Sequence, residues 1–167
     1  MVKKKLTILL SVSLTVLLLD QWTKYLVYSQ MRLGQSIPLL NSIFAFTYVR
    51  NRGAAFGILH NAPAYFRDPF FIFVPIVALV AIFFIFAKLK ENEMLTAMAL
   101  SLIVGGAVGN IIDRVRFGFV VDFLDFHWKE VYHWPAFNVA DSAIVVGVSL
   151  FFIQSVFQGK ICLDPKS

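Results

Sequence analysis

The sequence predicts an all-α polytopic membrane protein, with four transmembrane helices, a small extracytoplasmic β-hairpin or sheet and a short interfacial helix. Three observations lead there. Of the 167 residues, 59% are hydrophobic and only 15% are charged, well below the roughly one-quarter charged content of soluble domains. Four windows, about 6–27, 69–88, 95–115 and 138–158, are apolar over the roughly 20 residues that cross a bilayer. The aromatic, charged and turn-forming residues collect in two stretches between windows, 28–68 and 116–137. Residues 1–167 are therefore expected to form one membrane-embedded domain.

The first window follows Met-Val-Lys-Lys-Lys and so has the basic start and apolar run of a signal peptide. No small-x-small cleavage site follows it; the stretch continues DQWTKYLVY. A retained helix is expected, with Trp22, Tyr25 and Tyr28 anchoring its end at the interface. Next, IFAFTYV at 43–49 and AAFGIL at 54–59 have strand character, with NRG at 51–53 as the turn between them. The third window contains Gly105 and Gly109, a spacing suited to close helix packing. FLDFHWKEVYHW at 123–134 mixes aromatic and charged residues ahead of Pro135, which suggests a short interfacial helix or amphipathic loop.

Orientation follows from lysine density, since basic residues in short loops stay cytoplasmic. The N-terminus, the 88–94 turn and the C-terminal tail hold seven of the nine lysines. Both termini are thus expected in the cytoplasm, with 28–68 and 116–137 outside. The net charge of +5 fits topology and attraction to anionic membrane lipid; no stacked basic-aromatic groove suggests nucleic acid. The lone Cys162 excludes a disulfide framework, and His60, His127 and His133 lack the i, i+4 spacing of a helical zinc site. No metal and no cofactor are expected.

Carboxylates at membrane boundaries are costly and point to function. Five lie near the same ends of the spans: Asp20, Asp113, Asp122, Asp125 and Asp141. Asp20 precedes Lys24 by four residues, the spacing of a helical ion pair, and Asp113 adjoins Arg114, with Asn110 one turn earlier. Asp125 stands four residues before Lys129, so in a helical segment it forms an exposed pair of small energetic weight. Asp122 and Asp141 have no basic residue within four positions. Brought together, they form a dyad that shares a proton and works as general base and general acid on one water. Alternatively, Asp141 caps the last helix and Asp122 is solvated. Ser142 has no local histidine or lysine to activate it and is expected to serve as a helix-opening hydroxyl.

DQWTK at 20–24, NRGAAFG at 51–57, GNIIDR at 109–114, VVDF at 120–123 and FNVADS at 137–142 together resemble, in order, the motifs of the lipoprotein signal peptidases (signal peptidase II). The resemblance implies an aspartyl endopeptidase of the bacterial inner membrane, with its active site near the extracytoplasmic face. It implies cleavage of diacylglyceryl-modified prolipoproteins just before the lipidated cysteine. By position, Asp122 and Asp141 match the catalytic pair. Asn51 and Arg114 match groups that hold the substrate backbone, and Asn110, Asp113 and Asn138 match supporting polar residues. Asp20 and Lys24 match a structural pair. Lipidated precursors and membrane lipid are the implied partners, and a monomer is expected. Two other classes remain open on the sequence alone. A proton-coupled carrier also uses membrane carboxylates, although no internal repeat is present. A non-catalytic assembly factor explains the glycines but gives Asp122 and Asp141 no task.

Overall fold

A computed structural model describes residues 4–40, 43–53, 62–129 and 131–162. Four helices long and apolar enough to cross a membrane are present: α1 (Lys4–Gln30), α2 (Ala64–Lys88), α3 (Met94–Phe117) and α4 (Val139–Cys162). Each begins or ends within a few residues of its expected window. All are apolar on most faces, so composition marks them as spans but does not say which faces pack. Packing selects α3 as the central helix, seated against α1, α4 and α2. Gly105 makes this approach possible: a Cβ there would lie 2.8 Å from the Ser13 carbonyl oxygen of α1. The other end of the bundle is tied by Lys5, whose Nζ donates to the Leu89 carbonyl just past α2 and lies 5.6 Å from the Phe86 ring centre. The end of α1 leaves Trp22, Tyr25 and Tyr28 exposed, as an interfacial belt requires.

Among the described residues, four strands lie beyond the C-terminal ends of α1 and α3 and the N-terminal ends of α2 and α4: β1 (Ser36–Leu40), β2 (Phe44–Asn51), β3 (Val120–Trp128) and β4 (Tyr132–His133). They form an antiparallel sheet in the order β1-β2-β3-β4. The strand expected at 43–49 is present as most of β2; the one expected at 54–59 falls outside the described residues.

Among the described residues of 123–134, strand over 123–128 and 132–133 stands in place of the expected interfacial helix. Val121 and Phe123 are buried in a cluster with Val27, Tyr48 and Phe119, while β2 supplies a ladder partner for the backbone as far as Phe126. That partner is more than 70 residues away in sequence, so local composition does not reveal it. β2 pairs Phe46 with Leu124 and Val49 with Asp122, which sets two of its residues, 47 and 48, against Phe123 alone. Such a bulge bends the strand and re-aims the side chains beyond it.

Candidate active site

On β3, successive side chains alternate between faces. Asp122 and Asp125 are three residues apart and therefore point to opposite sides of the sheet. Asp125 is buried rather than exposed: Thr47 Oγ1 donates to its Oδ2 at 3.4 Å, and His127 Nδ1 lies 3.7 Å from the same oxygen. The exposed Asp125–Lys129 pair expected for a helix is accordingly replaced by contacts within the sheet. Asp122, 1% exposed, accepts hydrogen bonds on both oxygens, from Asn138 Nδ2 to Oδ1 at 2.7 Å and from Asn51 Nδ2 to Oδ2 at 2.9 Å.

Asp141 is both a helix-capping group and a neighbour of Asp122. Asn138 precedes α4, its Oδ1 accepting the Asp141 N–H at 2.9 Å while Asp141 Oδ2 accepts the Asn138 N–H at 3.2 Å. This reciprocal arrangement is a capping box built from Asn and Asp. The other oxygen, Oδ1, accepts Asn110 Nδ2 at 2.8 Å. One residue, Asn138, thus holds Asp122 with its side chain and Asp141 with its backbone, which brings the two carboxylates to one place. Ser142 Oγ donates to the Asn138 carbonyl at 2.9 Å, the helix-opening role expected of it.

Both carboxylates line a cavity of about 690 Å³, together with Asn51, Asn110 and Arg114. Phe71, Trp134, Phe137, Ile144 and Val145 make most of the remaining wall apolar. Burial, together with the negative charge of Asp141, pushes the Asp122 carboxyl up to about 7, against the hydrogen bonds of Asn51 and Asn138 and the charge of Lys24. A carboxyl in that range exchanges its proton at neutral pH, as a general acid or base must.

Arg114 lies with its guanidinium carbon 5.4 Å from the Phe71 ring centre and donates to the Gly53 and Asn110 carbonyls at 3.3 and 3.4 Å. Asn51 turns its chain back, its Oδ1 accepting the Gly53 N–H at 2.9 Å. Both residues expected on the substrate backbone are therefore at the cavity, and each also orders the 51–53 turn beside it.

Behind the cavity lies a second, buried cluster. Lys24 Nζ is 2.8 Å from Asp20 Oδ2 and 3.4 Å from Asp113 Oδ2, and it donates to Asn110 Oδ1 at 2.8 Å. Asp20 Oδ1 accepts the Ala140 N–H at 2.9 Å, at the start of α4, and Asp113 Oδ2 accepts the Val121 N–H at 3.0 Å, at the start of β3. The cluster thereby fixes the two elements that carry Asp141 and Asp122. Gly109 leaves room for it, since a Cβ there would lie 2.5 Å from Asp20 Oδ2. Sequence reasoning overlooked Gln21, whose Nε2 reaches Asp113 Oδ1 at 3.1 Å, Asp20 Oδ2 at 3.2 Å and the Gly109 carbonyl at 3.2 Å. Its place inside DQWTK was the available signal. The apolar walls from Phe71 and Trp134 were also missed, and they carried no signal among so many aromatics.

Residues 12–157 match the family model described as signal peptidase (SPase) II. The lipoprotein signal peptidase of Geobacter sulfurreducens is 55% identical over 146 residues, which are 87% of this chain and 89% of that protein. The lipoprotein signal peptidase of Syntrophus aciditrophicus is 46% identical over 156 residues, 93% of this chain and 96% of its own. A solved structure described as a bacterial membrane enzyme, obtained by the in meso method, superposes with a TM-score of 0.81 at 34% identity. It covers 95% of this chain and 93% of its own. A family model running through all four spans, relatives of this identity along nearly the full length, and a shared fold agree: the chain belongs to the signal peptidase II family.

Proposed function

We propose that the chain removes the signal peptide from diacylglyceryl-modified prolipoproteins, cutting just before the lipidated cysteine, with Asp122 and Asp141 as the aspartic dyad. The observation that carries this reading is the shared hold of Asn138 on both carboxylates in the lining of one largely apolar cavity. Asp122, pushed up to about 7, enters the reaction protonated. Asp141, whose carboxylate faces the N–H donors of Asn110 and Asn138, takes a proton from a water between the two, and that water attacks the scissile carbonyl. Asp122 gives its proton to the developing oxyanion, and the dyad then protonates the leaving amine; no acyl-enzyme forms. Arg114 and Asn51 orient the substrate backbone across the cavity mouth, and the apolar wall takes its acyl chains. A single chain supplies both aspartates, so a monomer suffices. The carrier alternative is not favoured by the family.

The membrane is the bacterial inner membrane, with both termini cytoplasmic and the sheet outside; lysine density supports this. A reporter fused after Ser167 is expected inside and a label near Asn61 outside, and finding both on one side contradicts the arrangement. The activity is tested with the purified chain and a matched pair of precursors, one diacylglyceryl-modified and one not. Mass spectrometry is expected to find the signal peptide released from the lipidated precursor alone. Equal cleavage of both precursors removes the lipid from the substrate definition, and cleavage of neither removes the peptidase reading.

A further inference from the structure

The two segments that aim Asn51 and Arg114 into the cavity aim their neighbours the other way. Arg50 alternates with Asn51 along β2, and Arg116 is two residues past Arg114 on α3, about 200° round the helix. Both meet aromatic rings on the far face. The Arg50 guanidinium carbon is 4.7 Å from the Phe119 ring centre, 5.5 Å from that of Tyr48 and 5.8 Å from that of Tyr28, and its Nε donates to the Tyr48 hydroxyl at 2.9 Å. That of Arg116 is 5.0 Å from the Phe117 ring centre. Tyr28 and Phe117 stack on one another at 5.2 Å, so the two arginines flank one aromatic stack. Between α1 and the end of α3, a small cleft of about 160 Å³ opens beside Tyr25, Tyr28 and Arg116.

Among the described residues neither arginine has a carboxylate within ion-pair distance. Asp113 at the back of the cleft is engaged by Lys24, Gln21 and the Val121 N–H. Two exposed cations therefore stand beside the exposed Trp22, Tyr25 and Tyr28, the residue types that mark headgroup depth. A guanidinium packed over a ring presents its outer N–H groups in a planar fork that suits phosphate. Charge, depth and preorganisation point to one occupant.

We propose that the Arg50–Arg116 face binds the phosphate of an anionic phospholipid headgroup, on the side of the sheet away from the cavity. The site holds a resident membrane lipid and is independent of the proposed peptidase activity. The test is native mass spectrometry of the full chain released from detergent after equilibration with phosphatidylglycerol and phosphatidylcholine of matched acyl chains. The wild-type chain is expected to retain phosphatidylglycerol in preference, by roughly fivefold for each arginine engaged. Arg50→Gln with Arg116→Gln is expected to abolish that preference, while Arg32→Gln keeps it. Cleavage in lipid-free detergent is expected to be unchanged in all of them. Should the double variant fail to fold, Arg116→Gln alone, at an exposed position in the last turn of α3, is expected to lower the preference about fivefold. Replacing chloride with inorganic phosphate at equal ionic strength is expected to leave the preference in place. Equal retention of the two lipids by the wild-type chain, a preference that survives removal of both arginines, or displacement by inorganic phosphate overturns the proposal.

Discussion

The Asp20–Lys24–Asp113 cluster and the Asp122–Asp141 site lie on either side of Asn110 and handle buried negative charge in opposite ways. In the first, a lysine sits within 3.4 Å of both carboxylates, and backbone N–H groups from α4 and β3 donate to Asp20 Oδ1 and to Asp113 Oδ2. In the second, the donors are neutral amides and a backbone N–H, and one side opens to a cavity. A lysine offsets buried negative charge by pairing with it, whereas neutral amides hold a carboxylate in place without supplying an opposite charge. Asn110 joins the two, accepting from Lys24 with its oxygen and donating to Asp141 with its nitrogen. The contrast supports the proposed division, with order in one cluster and chemistry in the other.

The sharpest way to break this comparison is to replace the acids of the open site. Asp122→Asn and Asp141→Asn are each expected to lower turnover on a lipidated precursor by on the order of 10⁴-fold, as for groups acting as a unit, with helical content and melting behaviour retained. Near-normal turnover by either variant would take that residue out of the dyad.

Next in size is the lysine cluster. Lys24→Met leaves Asp20 and Asp113 buried without their cation and is expected to cost about 3–5 kcal/mol of stability, read by thermal unfolding in detergent. The molecules that remain folded are expected to cleave within about tenfold of the wild-type rate, ~1.4 kcal/mol in the barrier. A stable but inactive Lys24→Met chain would instead place the lysine in the chemistry and erase the distinction.

pH separates the clusters in a third way. With Asp122 pushed up to about 7 by burial and by Asp141, kcat/KM is expected to fall about tenfold per unit as pH rises above that value, and the profile reports the pair rather than one residue. Stability carries the same sign. Between the ordinary value of 3.8 and about 7 the folded chain binds a proton that the unfolded chain has released. Stability therefore declines as pH rises through that window and levels off above it. Asp122→Asn is expected to remove this part of the decline; an unchanged slope would assign it elsewhere.

The smallest effect is expected at Asp125, on the opposite face of β3. Asp125→Asn keeps the size of a buried group held by Thr47, and cleavage is expected to stay within about tenfold of wild type, again ~1.4 kcal/mol. Inactivity of Asp125→Asn beside an active Asp122→Asn would mean that the wrong face of the strand had been chosen.

Much of this molecule was legible in its sequence, and the limits of that legibility have physical causes. The spans follow from composition, since a bilayer demands long apolar helices whatever their neighbours. The Asp20–Lys24 pair follows from helical spacing, and the capping role of Asp141 from its place at the start of an apolar run; all of these are local. The path of 120–128 is not local. Its aromatic and charged residues suit an interfacial helix until β2 is placed beside them, and the choice matters because a spacing of three puts Asp122 and Asp125 near one another on a helix but on opposite faces of a strand. Tertiary structure also decided that Asp141 can cap α4 and still stand beside Asp122, since Asn138 serves both carboxylates at once. By itself the sequence determined the four helices, the acids at one end of them and the ordered motifs of the family. Only the packing of α1, α3 and α4 and the pairing of β2 with β3 decided which acids meet a lysine and which meet a cavity, because hydrogen-bond partners 70 to 120 residues apart leave no periodic mark on the chain.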